Sequence, residues 1–145
     1  MLSFQTLLAY EWAMAGWEKI ATPKFVGGIS NTLNFFAGQN PFPWYKSFLM
    51  QSTLPNAKMF AYAVQYGELA VGLGLAVGAG VYLFVKNEMA KRTAMTVSIL
   101  ALLGGAFMNA NFYLAAGWTS PAAAGTNVVM FWAAVILVSV WASVL

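Results

Sequence analysis

Four long apolar stretches constrain this chain more than any other feature of its sequence. They cover residues 2–17, 60–85, 93–116 and 128–145 of the 145 residues. A helix that crosses the ~30 Å hydrocarbon core of a bilayer needs about 20 consecutive apolar residues. The last three stretches reach that length and the first is marginal. The pattern therefore predicts an all-α integral membrane protein built as a four-transmembrane-helix bundle.

We place the four predicted helices at about residues 3–20, 56–85, 91–116 and 127–145, in a single domain that covers residues 1–145. Transmembrane strands would alternate apolar and polar residues, whereas residues 99–108 and 128–138 contain no polar side chain. The first stretch has no basic residue before it and is interrupted by Glu11. We therefore expect a retained helix there and not a cleaved signal peptide.

The connection between predicted helices 1 and 2, residues 21–55, mixes aromatic residues with Gly, Asn, Pro and Lys. A connection of this length without structure of its own would be unusual. We predict short amphipathic helices at residues 24–36 and 43–51, which lie at the membrane interface or fold over one mouth of the bundle. The density of cations between predicted helices 2 and 3 favours cytoplasmic termini and an outward-facing long connection.

The chain contains neither histidine nor cysteine. These residues are the usual ligands of haem iron and iron–sulfur clusters, so we expect no metal site and no covalently bound cofactor. Carboxylates, amides, aromatic side chains and bound lipid-like molecules remain as sources of function, as does the support of a partner. The seven cations form no basic patch, so nucleic acid is not an expected partner.

Glu68 lies inside a predicted membrane helix, where an ionised carboxylate costs several kcal/mol. Such a group is a candidate for proton handling, and the alternative is a buried hydrogen bond to an Asn or Trp of another helix. Gln65 and Gly72 share its helical face because they are three and four residues away, and Tyr62 flanks that face. An aromatic, amide-lined notch with one acid suits a quinone headgroup, although a tyrosine here is also typical of an interfacial belt.

Predicted helix 3 contributes Asn109 and Asn111, which point in directions ~200° apart. One is expected to link helices and the other to line the polar notch with Gln65 and Tyr62. Thr126 and Asn127 are alternative N-cap residues for predicted helix 4.

Lys19, Lys24 and Lys46 could supply positive charge to a substrate oxyanion that approaches the long connection. The alternative for Lys19 is an ion pair with Glu18 at the membrane boundary. Glu11 and Glu18 are seven residues apart and therefore share one helical face, and Gly16 would allow a neighbouring helix to approach closely.

Three segments together resemble the DoxX/DoxD family of small four-helix membrane proteins. They are residues 15–20 (AGWEKI) followed by Pro23 and Phe25, Gly67-Glu68 with Gly72, and residues 109–121 (NANFYLAAGWTSP) followed by residues 125–127. The last segment looks most like members of the thiosulfate:quinone oxidoreductase type. Where members often carry a basic residue early in helix 1, this chain has Glu11.

The resemblance implies a multi-pass protein of a prokaryotic plasma membrane, which for some members passes electrons from thiosulfate to quinone as a subunit. We expect a membrane subunit of a respiratory or photosynthetic quinone-linked complex, in contact with lipid, quinone and redox-cofactor-bearing subunits. The alternatives are an enzyme subunit that oxidises a sulfur oxyanion and a small transporter or channel-like oligomer. The transporter is the weaker of these, because the sequence shows no inverted repeat.

Overall fold

The computed structural model describes residues 1–22 and 24–145, and this part of the chain is helical without strands. Its α-helices are α1 (Leu2–Ala21), α2 (Lys24–Gln39), α3 (Pro43–Phe48), α4 (Ala57–Phe84), α5 (Glu88–Ala116) and α6 (Pro121–Val144). A π-helical turn at Leu49–Thr53 and a 3-10 turn at Leu54–Asn56 join α3 to α4 without a break. The prediction of an all-α chain is confirmed.

Three helical segments are long and apolar enough to cross a membrane: Pro43–Phe84, Glu88–Ala116 and Pro121–Val144. This pattern indicates a multi-pass membrane protein. The predicted helix 1 is present as α1, but it is not among these three segments. Gln5, Glu11, Glu18 and Lys19 lower its apolar character.

Two predicted helix starts were wrong. Helix α6 begins at Pro121, because the Ser120 Oγ caps it by accepting a hydrogen bond from Ala123 N at 3.1 Å. Asn127 therefore lies inside α6, where its Nδ2 donates to the carbonyl of Ala123, and neither it nor Thr126 is the N-cap. Helix α5 begins at Glu88 for the same kind of reason, since Asn87 caps it by accepting from Ala90 N.

The connection between α1 and α4 folds as the predicted pair of helices with changed ends. Helix α2 continues to Gln39, three residues beyond the predicted end, and α3 stops at Phe48 where the π turn begins. Their apolar faces pack together on the first turns of α4, through Ile29, Leu33, Ala37, Tyr45, Leu49, Ala57 and Ala61. A hydrogen bond from Asn40 Nδ2 to the Leu114 carbonyl, at 2.6 Å, ties this cap to the end of α5.

Helices α1, α4, α5 and α6 surround the main core, whose largest buried side chains include Trp12, Leu75, Leu102 and Trp141. Helices α1 and α4 approach closely at two glycines. A Cβ on Gly16 would lie 2.5 Å from Leu69 N, and one on Gly72 would lie 2.4 Å from Ala13 N. The expectation that Gly16 permits close packing is confirmed.

Candidate functional site

One layer of polar side chains crosses the bundle near the start of α1, and we call it the Gln5 layer. Gln5 is fully buried, and its Nε2 donates to the Leu75 carbonyl at 2.9 Å and to Ser98 Oγ at 3.0 Å. Its Oε1 accepts from Trp141 Nε1 at 2.6 Å. Each polar atom of the Gln5 side chain therefore has a partner, and the layer links α1, α4, α5 and α6.

Sequence reasoning missed the Gln5 layer. The signal available in the sequence was Gln5, the one amide of residues 2–21, which lies three, four and seven residues before Leu8, Ala9 and Trp12. Those positions share a helical face, and all of them are buried.

A second polar layer, the Glu68 layer, consists of Glu68, Lys19, Gln65 and Asn109. Lys19 Nζ lies 2.6 Å from Glu68 Oε2, and the two side chains are 27% and 4% exposed respectively. The same Nζ donates to the Ala15 carbonyl at 3.3 Å and lies 5.7 Å from the centre of the Phe25 ring. Lys19 thus joins α1 to α4 and contacts α2.

This ion pair replaces two expected contacts. Lys19 does not pair with Glu18, which is exposed on the other side of α1. The partner of Glu68 is a lysine and not an Asn or Trp. Because the residues are 49 positions apart, only the crossing of α1 and α4 brings them together.

Two amide atoms of the Glu68 layer are buried without a hydrogen-bond partner in the described residues: Gln65 Oε1 and Asn109 Nδ2. A Cβ on Gly67 would lie 3.3 Å from the end of the Met108 side chain, so Glu68 and Asn109 lie at a similar depth on α4 and α5. A buried amide atom without a partner costs roughly 1–3 kcal/mol. Such atoms are candidates for binding a ligand or an ordered water.

Asn109 also lies in the wall of a pocket of about 320 Å³ between α5 and α6. The other lining residues are mostly aromatic or apolar, and Val128 and Trp132 at its rim are exposed. The lining residues are Asn109, Ala110, Tyr113, Leu114, Asn127, Val128, Phe131 and Trp132.

A larger groove of about 530 Å³ lies at the other end of the bundle, where α4 turns into α5. Its walls are almost entirely apolar and include Val77, Gly78, Val81 and Val97. No motif in the sequence indicates this groove.

The remaining predicted site residues lie apart from the Glu68 layer. Tyr62 is 47% exposed and stacks on Tyr66, with the ring centres 6.3 Å apart. Asn111 donates through Nδ2 to the Phe107 carbonyl, and its own carbonyl accepts from Tyr45 Oη at 3.1 Å. Lys24 and Lys46 are exposed, on α2 and α3. The structure thus pairs Lys19 with Glu68 and places Gln65 on the same buried face of α4. Asn109 is buried on α5 at a similar depth, whereas Tyr62, Asn111, Lys24 and Lys46 lie elsewhere.

Comparisons with protein-family models, with curated proteins and with solved structures find no match to this chain. The resemblance to the DoxX/DoxD family therefore stays a prediction, based on the three sequence segments that carry it.

Proposed function

We propose that this protein is a DoxX-like membrane subunit of a quinone-linked electron-transfer complex and that it binds a quinone headgroup in the pocket between α5 and α6. In this proposal α1 spans the bilayer together with α4, α5 and α6. The observation that carries the proposal is Asn109, whose buried Nδ2 has no hydrogen-bond partner among the described residues and which lies in the wall of an aromatic pocket. An amide donor among aromatic walls is the chemistry that recognises a quinone carbonyl.

The size and position of the pocket fit a headgroup better than a whole quinone. Its volume of about 320 Å³ lies at the lower end of the ~300–1,000 Å³ range of ligand pockets. Tyr113 and Phe131 provide aromatic walls, while Val128 and Trp132 at the exposed rim would let an isoprenoid tail leave toward lipid. This placement differs from the notch predicted from sequence, because Tyr62 faces outward and Glu68 is paired with Lys19.

A bound quinone would accept two electrons and two protons. The side chains of this protein provide no such acceptor. The electrons would come from cofactors of partner subunits, since the sequence has no histidine or cysteine to hold a metal centre. Glu68 is the acid that the fold buries at the depth of Asn109, so it remains the candidate for proton handling. Lys19, whose Nζ lies 2.6 Å from Glu68 Oε2, would hold that carboxyl group in position.

Titration of the purified protein in lipid nanodiscs with the short-tailed analogue decylubiquinone, followed by tryptophan quenching, tests the binding site. Asn109→Leu removes the donor and should weaken binding by about tenfold, the value of one hydrogen bond to a carbonyl. Asn111→Leu is the matched control, because Asn111 does not line the pocket, and it should bind as the unmodified protein does. Equal affinity of the Asn109→Leu variant would exclude this site.

The role of Glu68 has a separate readout. Glu68→Gln should keep the fold, because glutamine can still accept a hydrogen bond from Lys19, and the affinity for decylubiquinol should lose its dependence on pH. Glu88→Gln, which changes an exposed acid at the start of α5, is the control. If the pH dependence persists in Glu68→Gln, another group handles the proton.

A further inference from the structure

The surface of α1 that faces away from the bundle carries acidic side chains, one of them at a depth where lipid hydrocarbon would solvate it poorly. Glu11 and Glu18 are exposed. Neither forms an ion pair with any residue in the described ranges, 1–22 and 24–145. Beside them on this face, which also holds the exposed Ser3, lie five exposed apolar or aromatic side chains: Phe4, Leu7, Tyr10, Met14 and Trp17. We call these eight residues the outer face of α1.

The contact between α1 and α4 fixes the depth of Glu11. Gly72 lies near the middle of α4 and directly against Ala13. Glu11 precedes Ala13 by two residues, which is ~3 Å along a helix axis. If α4 spans the bilayer, as its length and composition allow, then Glu11 lies near the mid-depth of the membrane and points away from the bundle.

A carboxylate that faces hydrocarbon at this depth is expensive, and such groups usually pair with a cation or face a protein interior. Among the residues that the structure describes, no cation pairs with Glu11: Lys19 is paired with Glu68 and Lys91 with Glu88, and the other cations lie in the cap or toward the ends of α4 and α5. We infer that the outer face of α1 is an interface for a transmembrane helix of another protein, which carries a Lys or Arg at the depth of Glu11. Glu18, two helical turns away on the same face, would take a second cation seven residues along that helix.

A second copy of this chain fits the face poorly. A twofold dimer through α1 places the same surface on both sides, so acids would oppose acids. The exposed cations of the chain, Lys24, Lys46, Lys58, Lys86 and Arg92, lie in the cap or toward the ends of α4 and α5 and not at mid-depth. Charge complementarity therefore selects a different, basic partner helix. The inference extends the subunit role proposed above, and its test involves no quinone.

Model transmembrane peptides test the inference directly. The probe is a fluorescent polyleucine helix with one central lysine, and the matched peptides carry leucine or glutamine at that position. Energy transfer to the labelled protein in phosphatidylcholine vesicles measures their association. The lysine peptide should bind about fivefold more tightly than the leucine peptide, a ratio typical of one polar contact between membrane helices.

The variants assign that preference to Glu11. Glu11→Gln should abolish the preference for lysine, whereas Glu88→Gln should leave it unchanged. A photo-crosslinking residue at position 7 or 14, on either side of Glu11, should capture the lysine peptide, and one at position 129 on exposed α6 should not. No preference for lysine, or a preference that survives in Glu11→Gln, would overturn the inference. Because the substituted positions 7, 11, 14, 88 and 129 are all exposed, these variants should keep the fold.

Discussion

The two polar layers of this bundle differ in how completely their hydrogen bonds are made. In the Gln5 layer the amide of Gln5 donates twice and accepts from Trp141, so that four helices share one closed network. In the Glu68 layer the ion pair between Lys19 and Glu68 is formed, but Gln65 Oε1 and Asn109 Nδ2 have no hydrogen-bond partner in the part of the chain that the structure describes. Gln5, Gln65 and Asn109 are all buried, so solvent exposure of the amides does not explain the difference.

The difference separates a structural layer from a candidate binding layer. A buried polar network with every member satisfied fixes the arrangement of the helices around it. An unpartnered amide weakens the fold unless another molecule completes its hydrogen bonds. Asn109 of the Glu68 layer lines the pocket between α5 and α6, whereas Gln5, Ser98 and Trp141 line neither that pocket nor the groove where α4 turns into α5. This difference is the physical basis for assigning ligand binding to the Glu68 layer.

Gly72→Ala should have the largest effect, because Gly72 lies between the two layers on α4. An added Cβ would lie 2.4 Å from Ala13 N and 2.7 Å from Ala13 Cα, so α1 must move away from α4 as a whole. Because Gln5 and Lys19 both lie on α1, the hydrogen bonds of both layers should weaken together. We expect a loss of about 3 kcal/mol in unfolding free energy, at the upper end of typical overpacking costs.

Unfolding by sodium dodecyl sulfate, followed by circular dichroism, measures this loss. Gly80→Ala is the matched control on the same helix, since nothing lies within 4 Å of a Cβ at that position. It should be neutral or stabilising, because alanine is the better helix former. If the two variants behave alike, the close contact of α1 with α4 is not formed in the membrane protein.

Gln5→Leu should have the next largest effect and should act on the closed layer alone. The substitution leaves Trp141 Nε1 buried without an acceptor and removes the donor to Ser98. We expect a destabilisation of about 2 kcal/mol, read in the same unfolding experiment, with quinone affinity unchanged. Gln39→Leu, an exposed glutamine at the end of α2, should cost little. A neutral Gln5→Leu would show that the layer does not hold the helices together.

The sequence predicted the elements of this fold better than their contacts. Length and apolar composition were enough to predict that α4, α5 and α6 exist. The mixture of aromatic and polar residues in the connection was enough to predict α2 and α3. The start of α6 was misplaced because a local signal was overlooked: Ser120-Pro121 is an N-cap followed by proline at the first helical position.

Contacts between distant residues were beyond sequence reasoning for a physical reason. The Lys19–Glu68 pair depends on the register between α1 and α4, which Gly16 and Gly72 fix through backbone approach. The Asn109 pocket likewise depends on how α6 crosses α5. The spacing of Gln65 and Glu68 correctly placed both on one buried face, but it could not tell which would find a partner.

Asn109→Leu should have the smallest effect on stability and the opposite sign to Gln5→Leu. Both variants replace a buried amide by an apolar side chain of similar size. Asn109, however, gives up an unpartnered Nδ2, whereas Gln5 gives up a complete set of bonds. We therefore expect Asn109→Leu to change the unfolding free energy by between zero and about 1 kcal/mol in the stabilising direction.

The contrast between these two variants, measured under the same conditions, distinguishes a binding residue from a packing residue. A residue kept for binding lowers stability in the absence of its ligand, and its removal raises stability while it weakens decylubiquinone binding. If Asn109→Leu instead destabilises as much as Gln5→Leu, the Asn109 amide has a partner within the folded protein. The two layers would then be alike, and the argument that the pocket between α5 and α6 binds a ligand would fail.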